Sequence, residues 1–280
     1  NNINKISGIL NGTSNYILSS MDNDKLEYKD SLSNAKKLGY AESNPASDIN
    51  GEDVASKLKI LTALAFNSFI NNKIITVEGI KNIDQIDINN ANQLGYKIKL
   101  LGVAESRKNK IIQRVHPALI KEKSYIAKVG GVLNAVIVES NPVGKTVLQG
   151  EGAGPGPTTS SLISDLCSVL RGNVKFPFVL PYKKRKFGYF ENIDNKKFSV
   201  YLRLDVKDRH GILSDITKVM ATNKVSIKRL IQNPTINKKN ASIVIITHEA
   251  KSSSFVKVLS TLKKKNYIVN IPKIIRIEKV

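Results

Sequence analysis

The sequence predicts an α+β protein: a mixed sheet with covering helices over residues 1–180, followed by a βαββαβ unit over residues 199–280. Three observations carry this. Stretches such as IKLLGVAE and GVLNAVIVE are rich in residues that suit a sheet covered by helices, and they alternate with segments of helical period. Residues 199–280 read as SVYLRLDV (strand), GILSDITKVMATN (helix), VSIKRLIQN (strand), ASIVIITHE (strand), SFVKVLSTLKKKN (helix) and IPKIIRIEKV (strand), the split-βαβ, ferredoxin-like plan. Between the two, Pro177, Pro181 and the run KKRK at 183–186 mark a linker, taken as residues 181–198.

Within the first part, Tyr16, Ile17 and Met21 follow a turn at Asn11-Gly12 at helical spacing, after an initial strand or loop. A second helix is expected over Ser31–Leu38, closed by Gly39 in the left-handed conformation. The acidic stretch containing Pro45 reads as a loop. Asn50 or Gly51 then opens a helix to about Asn67, with Asp53 in its first turn, where an anion is favoured. In DVASKLKILTALAF, Val54, Leu58, Leu61 and Ala65 form one stripe and Ile60 and Leu64 another, which predicts a helix buried nearly all round. Strands are expected at 74–79, 96–104, 111–115 and 132–138. TTSSLISDLCSVLRG reads as a helix opened by Thr or Ser and stopped by Gly172.

The 280 residues, 41% hydrophobic, suffice for two cores. No apolar run approaches the roughly 20 residues that cross a bilayer, and NNINKISGIL lacks a signal-peptide layout, so no membrane association and a cytoplasmic location are expected. The single cysteine, Cys167, cannot form an internal disulfide, which agrees with a reducing compartment and makes the Asn-x-Ser/Thr motifs at 11–13 and 240–242 decoys; on an apolar helix face it reads as core. The net charge of +21 raises a nucleic-acid partner, but only KKRK at 183–186 and KKK at 263–265 are dense, so none is expected. The chain opens at Asn1 inside what reads as an ordered segment, and a fragment is expected.

The chemistry gathers in GYAESNPASDINGEDVASK at 39–57. Asp53 and Lys57, four apart on one helix, share a face. A lysine among apolar residues loses hydration, which lowers its pKa, while a neighbouring carboxylate raises it; the balance can leave a group that exchanges protons near neutrality. Glu42 and Asp48 could hold a ligand's ammonium or hydroxyl beside it. Spacing alone favours an ordinary surface ion pair, since such pairs occur on most helices.

Six blocks, GILNGTSNYIL (8–18), LGYAESNPASDINGEDVASKLKIL (38–61), YKIKLLGVA (96–104), RVHPALI (114–120), GVLNAVIVE (131–139) and GEGAGPGPT (150–158), resemble homoserine dehydrogenases in order and over nearly all of residues 1–180. The resemblance implies the reversible NAD(P)-dependent interconversion of L-homoserine and L-aspartate 4-semialdehyde, a step toward threonine, isoleucine and methionine. It implies that Glu42 and Asp53 hold the amino-acid substrate, that Asp48 lines the same pocket, that Lys57 transfers the proton, and that Gly39 and Gly154 lie against the cofactor. It also implies a homodimer. NAD or NADP is expected to be bound mainly by an N-terminal Rossmann domain absent from this chain, and most ligands of a monovalent cation are expected upstream as well. No metal ligands are assigned here.

GEGAGPGPT is not a Rossmann fingerprint: Pro155 and Pro157 oppose a helix start, so it reads as a loop able to approach a cofactor. VGKT at 143–146 fails as a phosphate loop because Glu139 stands where the first glycine is required. His116, without partners at ligand spacing, reads as a structural histidine.

The βαββαβ part resembles an ACT domain through LDVKDRHGILSDITKVMATNKVSI at 204–227, with His210 where that family usually has proline. The resemblance implies an amino-acid effector, threonine being the hypothesis, with Gly211 letting backbone amides reach its carboxylate. A module that only dimerises is the alternative for this part. For the whole chain, a non-catalytic amino-acid sensor competes with the enzyme reading, though the complete set Glu42, Asp48, Asp53 and Lys57 argues against it; a basic binding protein is the other rival.

Overall fold

The computed structural model describes residues 1–280 except 70–73, 109, 174–180, 186–187 and 235–238, and only the backbone at 182, 233 and 234. In chain order the elements are β1 (Asn2–Ile9), α1 (Gly12–Asn23), α2 (Tyr28–Lys37), α3 (Ala46–Asn50), α4 (Glu52–Phe66), β2 (Thr76–Val77), α5 (Gln85–Gln93), β3 (Tyr96–Arg107), β4 (Lys110–Lys121), β5 (Leu133–Asn141), β6 (Gly144–Glu151), α6 (Pro155–Leu170), β7 (Tyr189–Phe190), β8 (Lys197–Lys207), α7 (Ile212–Thr222), β9 (Ile227–Pro234), β10 (Asn240–Thr247), β11 (Ala250–Lys251), α8 (Ser252–Leu262) and β12 (Lys273–Glu278).

The α+β class and the βαββαβ order are as the sequence predicts. One feature is not local in sequence: the strands of both parts join in one sheet, ordered β6-β5-β1-β3-β4-β12-β8-β10-β9 among the described residues. The join is the edge of β4 opposite β3. There β7 pairs in parallel with Lys110 and Ile111, β2 with Arg114 and Val115, and β12 with Ala118 to Ile120. Pro117, which has no N–H for a ladder, falls where the edge passes from β2 to β12.

Strands β3 and β4 are buried almost throughout because both faces are covered. The pleat sends Leu100, Ala104, Val115 and Leu119 toward a core shared with Val54 and Leu58 of α4, while Leu101, Val103, Ala118 and Ile120 face Ile126 and Ile137 on the other side. The first of these cores also takes in Tyr201, Val244, Ile246 and Ile275 from the C-terminal part. On β8, Phe198, Val200, Leu202 and Leu204 point instead to the core under α7 and α8.

Two buried charge clusters lock the join. Arg114, fully buried on β4, donates through Nε (2.7 Å) and Nη2 (3.0 Å) to Glu278 of β12, and through Nη1 to Glu105 of β3 at 2.5 Å. Lys196 also pairs with Glu105. On the other side, Arg203 of β8 reaches Asp87 of α5 (Nε, 2.8 Å) and Asp84 (Nη2, 2.5 Å), and the Tyr201 hydroxyl donates to Asp87. Burial would raise the carboxyls of Glu278 and Glu105, but the Arg114 guanidinium outweighs it and holds both low, Glu278 well below the usual range.

Several expectations change. GEGAGPGPT is a loop only over residues 152–154: Gly150 and Glu151 end β6, α6 starts at Pro155, and Pro157 also lies in its first turn, where an absent N–H leaves no intrahelical bond unmade. Cys167 is half-buried, because no residue of α6 is fully buried. The expected linker carries β7 and the buried Ile193, which packs in the C-terminal core; its residues 186–187, and 176–180 of the stretch holding Pro177, lie outside the described residues. VGKT covers the end of a hairpin turn, at Val143, and the start of β6, which pairs with β5. His116 is structural: buried, its Nδ1 lies 2.8 Å from the Pro117 carbonyl and its Nε2 3.2 Å from Glu278 Oε1.

Candidate functional site

The stretch 39–57 folds as two helices hinged at one glycine. Residues 46–50, read as loop, form α3, and Gly51 (φ +83°) is at once its C-cap and the N-cap of α4. The left-handed backbone suits glycine, and a Cβ there would also press on Val115 Cγ1 at 3.1 Å. The turn aims Asp48, in the middle of α3, and Asp53, in the first turn of α4, at the same place.

That place is the junction of β1 and α1. Asn11 Nδ2 donates to Asp48 Oδ1 (2.7 Å) and to Asp53 Oδ2 (2.9 Å), while its Oδ1 accepts from the Ser14 N–H as the N-cap of α1. Lys57 Nζ lies 2.8 Å from Asp53 Oδ2 and donates to the Leu10 carbonyl at 3.1 Å. Asp48, Asn11, Asp53 and Lys57 therefore form one chain of contacts. Lys57 is less covered than an all-round buried helix predicts, with its side chain 46% exposed. It lies on the flank of α4 that also carries Ile60 and Leu64, both exposed, whereas Lys59 is half-buried beside Ala55, Thr62 and Ala63.

Glu42 stands outside this chain, exposed and without an ion pair among the described residues. Gly39 (φ +76°) follows α2, and the turn after it is held by the Thr13 hydroxyl, which donates to the Tyr40 carbonyl at 2.5 Å. Gly154 (φ +111°) opens α6 at the end of β6. The register of β1 on β5 (Ile9 with Ala135) and of β5 on β6 (Leu133 with Glu151) brings this turn to the same end of the sheet as Asn11. A Cβ on Gly152 would collide with the Asn134 side chain, whose Oδ1 is buried without a partner. The βαββαβ part has its own cleft, about 840 Å³, lined by Asp208, Arg209, His210, Gly211, Gln232 and Ile243 among others. Gly211 (φ +82°) is the N-cap of α7.

The sequence reading passed over two residues. Asn11 could have been found as a capping residue before a helix. Lys99, on β3, gives no local signal. It is buried under α1, where Nζ donates to Asn15 Oδ1 (3.1 Å), Ser19 Oγ (3.3 Å) and the Val129 carbonyl (2.7 Å). Burial lowers its pKa to about 8, against an opposing pull from Asp22 and with help from Lys97. The folded value lies below the unfolded 10.5, so between them the unfolded chain holds more protons and stability rises with pH. Wild type should gain up to about 3 kcal/mol over Lys99→Met between those two values in denaturant unfolding; parallel pH profiles would contradict this.

Among the described residues, no group of three or more His, Cys, Asp or Glu is placed to hold a metal ion, and no helix is long and apolar enough to cross a membrane. Residues 1–167 match the family described as homoserine dehydrogenase and residues 200–266 match the ACT domain. A homoserine dehydrogenase of Helicobacter pylori is 38% identical over 278 residues, covering 99% of this chain and 66% of the relative. The crystal structure of a homoserine dehydrogenase from Thiobacillus denitrificans superposes with a TM-score of 0.91 at 36% identity, over 99% of this chain and 64% of that one. A hyperthermophilic archaeal homoserine dehydrogenase mutant, solved in complex with NADPH, gives a TM-score of 0.53 at 26% identity over 64% of this chain and 50% of that one. This chain thus spans about two thirds of the length of such relatives or less. With the first match running through Asn11, Asp48, Asp53 and Lys57 and the second through Gly211, the chain belongs to the homoserine dehydrogenase family and carries an ACT domain.

Proposed function

We propose that this chain is the substrate-binding and proton-transferring part of a homoserine dehydrogenase, interconverting L-homoserine and L-aspartate 4-semialdehyde, with residues 1–180 catalytic, 181–198 connecting and 199–280 regulatory. The observation that carries the proposal is the contact chain Asp48–Asn11–Asp53–Lys57, with the exposed Glu42 on the same stretch. Reduction of the aldehyde needs a proton on the oxygen as negative charge develops there, and the Lys57 ammonium both supplies it and stabilises the charge. In the oxidative direction Lys57 takes the hydroxyl proton. Asp53 and the Leu10 carbonyl hold the ammonium in place, and Asn11 ties Asp53 to Asp48, so the acids keep a fixed distance from the reacting oxygen. Glu42 is the partner for the substrate's α-ammonium.

NAD or NADP, when bound, exchanges the hydride with the substrate carbon. The turn at Gly152–Gly154 suits a dinucleotide, being open at Gly154 and carrying the orphan Asn134 oxygen beside Gly152; with Gly39 it would contact a cofactor held mainly by other parts of the protein. The exposed apolar side chains Leu148 of β6 and Leu162, Leu166 and Val169 of α6 support a homodimer or a further domain packed on this side. Replacing Glu42 by Ala should raise the KM for L-homoserine about tenfold or more while changing kcat far less. An unaltered KM removes Glu42 from the substrate.

The ACT cleft is proposed to take threonine, its carboxylate against the backbone at Gly211 and the N-terminus of α7. Truncation before residue 199 would not test this cleanly, since it strips β12 from β4 and leaves Arg114 without Glu278. Gly211→Asp, at a position open to solvent, places a repelling carboxylate in the cleft. Inhibition by threonine should then need about tenfold more effector; identical inhibition curves reject the site.

A further inference from the structure

A second cleft, about 450 Å³, opens at the end of the continuous sheet, where the tips of β3, β4, β12 and β10 and the start of β9 converge. It is separate from both sites above. Its walls are apolar: Tyr96 and Ile120 from the catalytic part, Ile246 and Ile277 from the ACT part. Around it stand Lys121, Lys123 and Lys228, all exposed and without an ion pair among the described residues. The acid that lines it, Glu278, is already paired with Arg114, and Lys279 is held by Glu249. Ser124, at the β4 end, and Thr247, at the β10 end, also line it.

We propose that this cleft binds a small organic anion with an apolar body, a carboxylate or a phosphate ester, whose head group meets the three ammonium groups. The volume is that of a small-molecule site, and an apolar pocket with a few convergent polar groups is the usual form of one. Because β4 and Lys123 belong to one part of the chain and β9, β10 and β12 to the other, an occupant contacts both and stiffens the join. A ligand that binds only the assembled sheet couples to the ACT domain without touching its effector cleft.

The test is equilibrium binding of anilinonaphthalene sulfonate, an anion with an apolar body, to the full-length protein, read by its fluorescence. A saturable site should weaken about tenfold or more when Lys121, Lys123 and Lys228 are changed together to Gln, whereas Lys257, Lys263 and Lys264→Gln, removing the same charge from α8 and the turn after it, should leave it unchanged. Ser124→Trp, which fills the cleft, should abolish it. Naphthoate and naphthyl phosphate should displace the probe and the neutral naphthalenemethanol should not; the better of the two anions identifies the head group. Equal affinity in all variants, equal loss in both lysine triples, or displacement by the neutral compound as strong as by the anions would overturn the proposal.

Discussion

Arg114→Leu should destabilise the protein by about 3–5 kcal/mol, because it leaves Glu278 buried without its guanidinium and Glu105 with Lys196 alone. Glu278 and Glu105 are 6% exposed each, and Glu278 takes two of the three guanidinium contacts. For a chain of this length that loss lowers the melting temperature by roughly 10 °C. Arg114→Met with Glu278→Leu removes both charges at the join, so it should recover a good part of the loss, with Glu105 still paired to Lys196. The contribution also has a pH window. Both carboxyls have folded pKa values below the unfolded 4.5, so their stabilisation is complete above that pH and fades as pH falls through the folded values. Because the ladder from β4 to β12 and the Arg203–Asp87 pair both cross the join, heating should give one unfolding transition for residues 1–280. Two separated transitions, or an Arg114→Leu variant as stable as wild type, would show that the parts are not coupled.

Lys57→Ala in the complete enzyme should lower kcat by roughly 10²–10⁴-fold, the usual worth of a positioned proton donor, with a smaller effect on the KM for homoserine. The fold should survive: the side chain is 46% exposed, and Asp53, 29% exposed, keeps access to water. Asp53→Asn should act through the lysine and cost less, since Leu10 still holds the ammonium. Turnover equal to wild type in Lys57→Ala would return the Asp53–Lys57 pair to an ordinary surface contact.

The sequence carried what repeats locally. The βαββαβ order was legible because β8 and β10 alternate or run apolar and because Gly211 and the stretch at 222–225 punctuate the helices. The acidic residues were legible as a set only through the family resemblance; Asp53–Lys57 spacing by itself fits any helix. What stayed hidden depended on partners distant in the chain. The pairing of β12 with β4 joins residues near 119 and 277, and no local pattern announces it. β6 is exposed at nearly every position, so it lacks the alternation that marks a strand packed on a core. Two prolines disguised the start of α6, although the first turn of a helix is where proline is tolerated. Asn11 escaped because its role is to join acids 37 and 42 residues away.

The measurement that bears most directly on the central claim is the rate of NAD⁺ or NADP⁺ reduction by the complete protein with L-homoserine as the only alcohol, compared with L-serine and L-threonine. Turnover with L-homoserine, at least about a hundredfold above the other two in kcat/KM, is the predicted result. Correctly folded protein that reduces neither cofactor with L-homoserine, while still binding threonine, would contradict it and make the chain part of an amino-acid sensor.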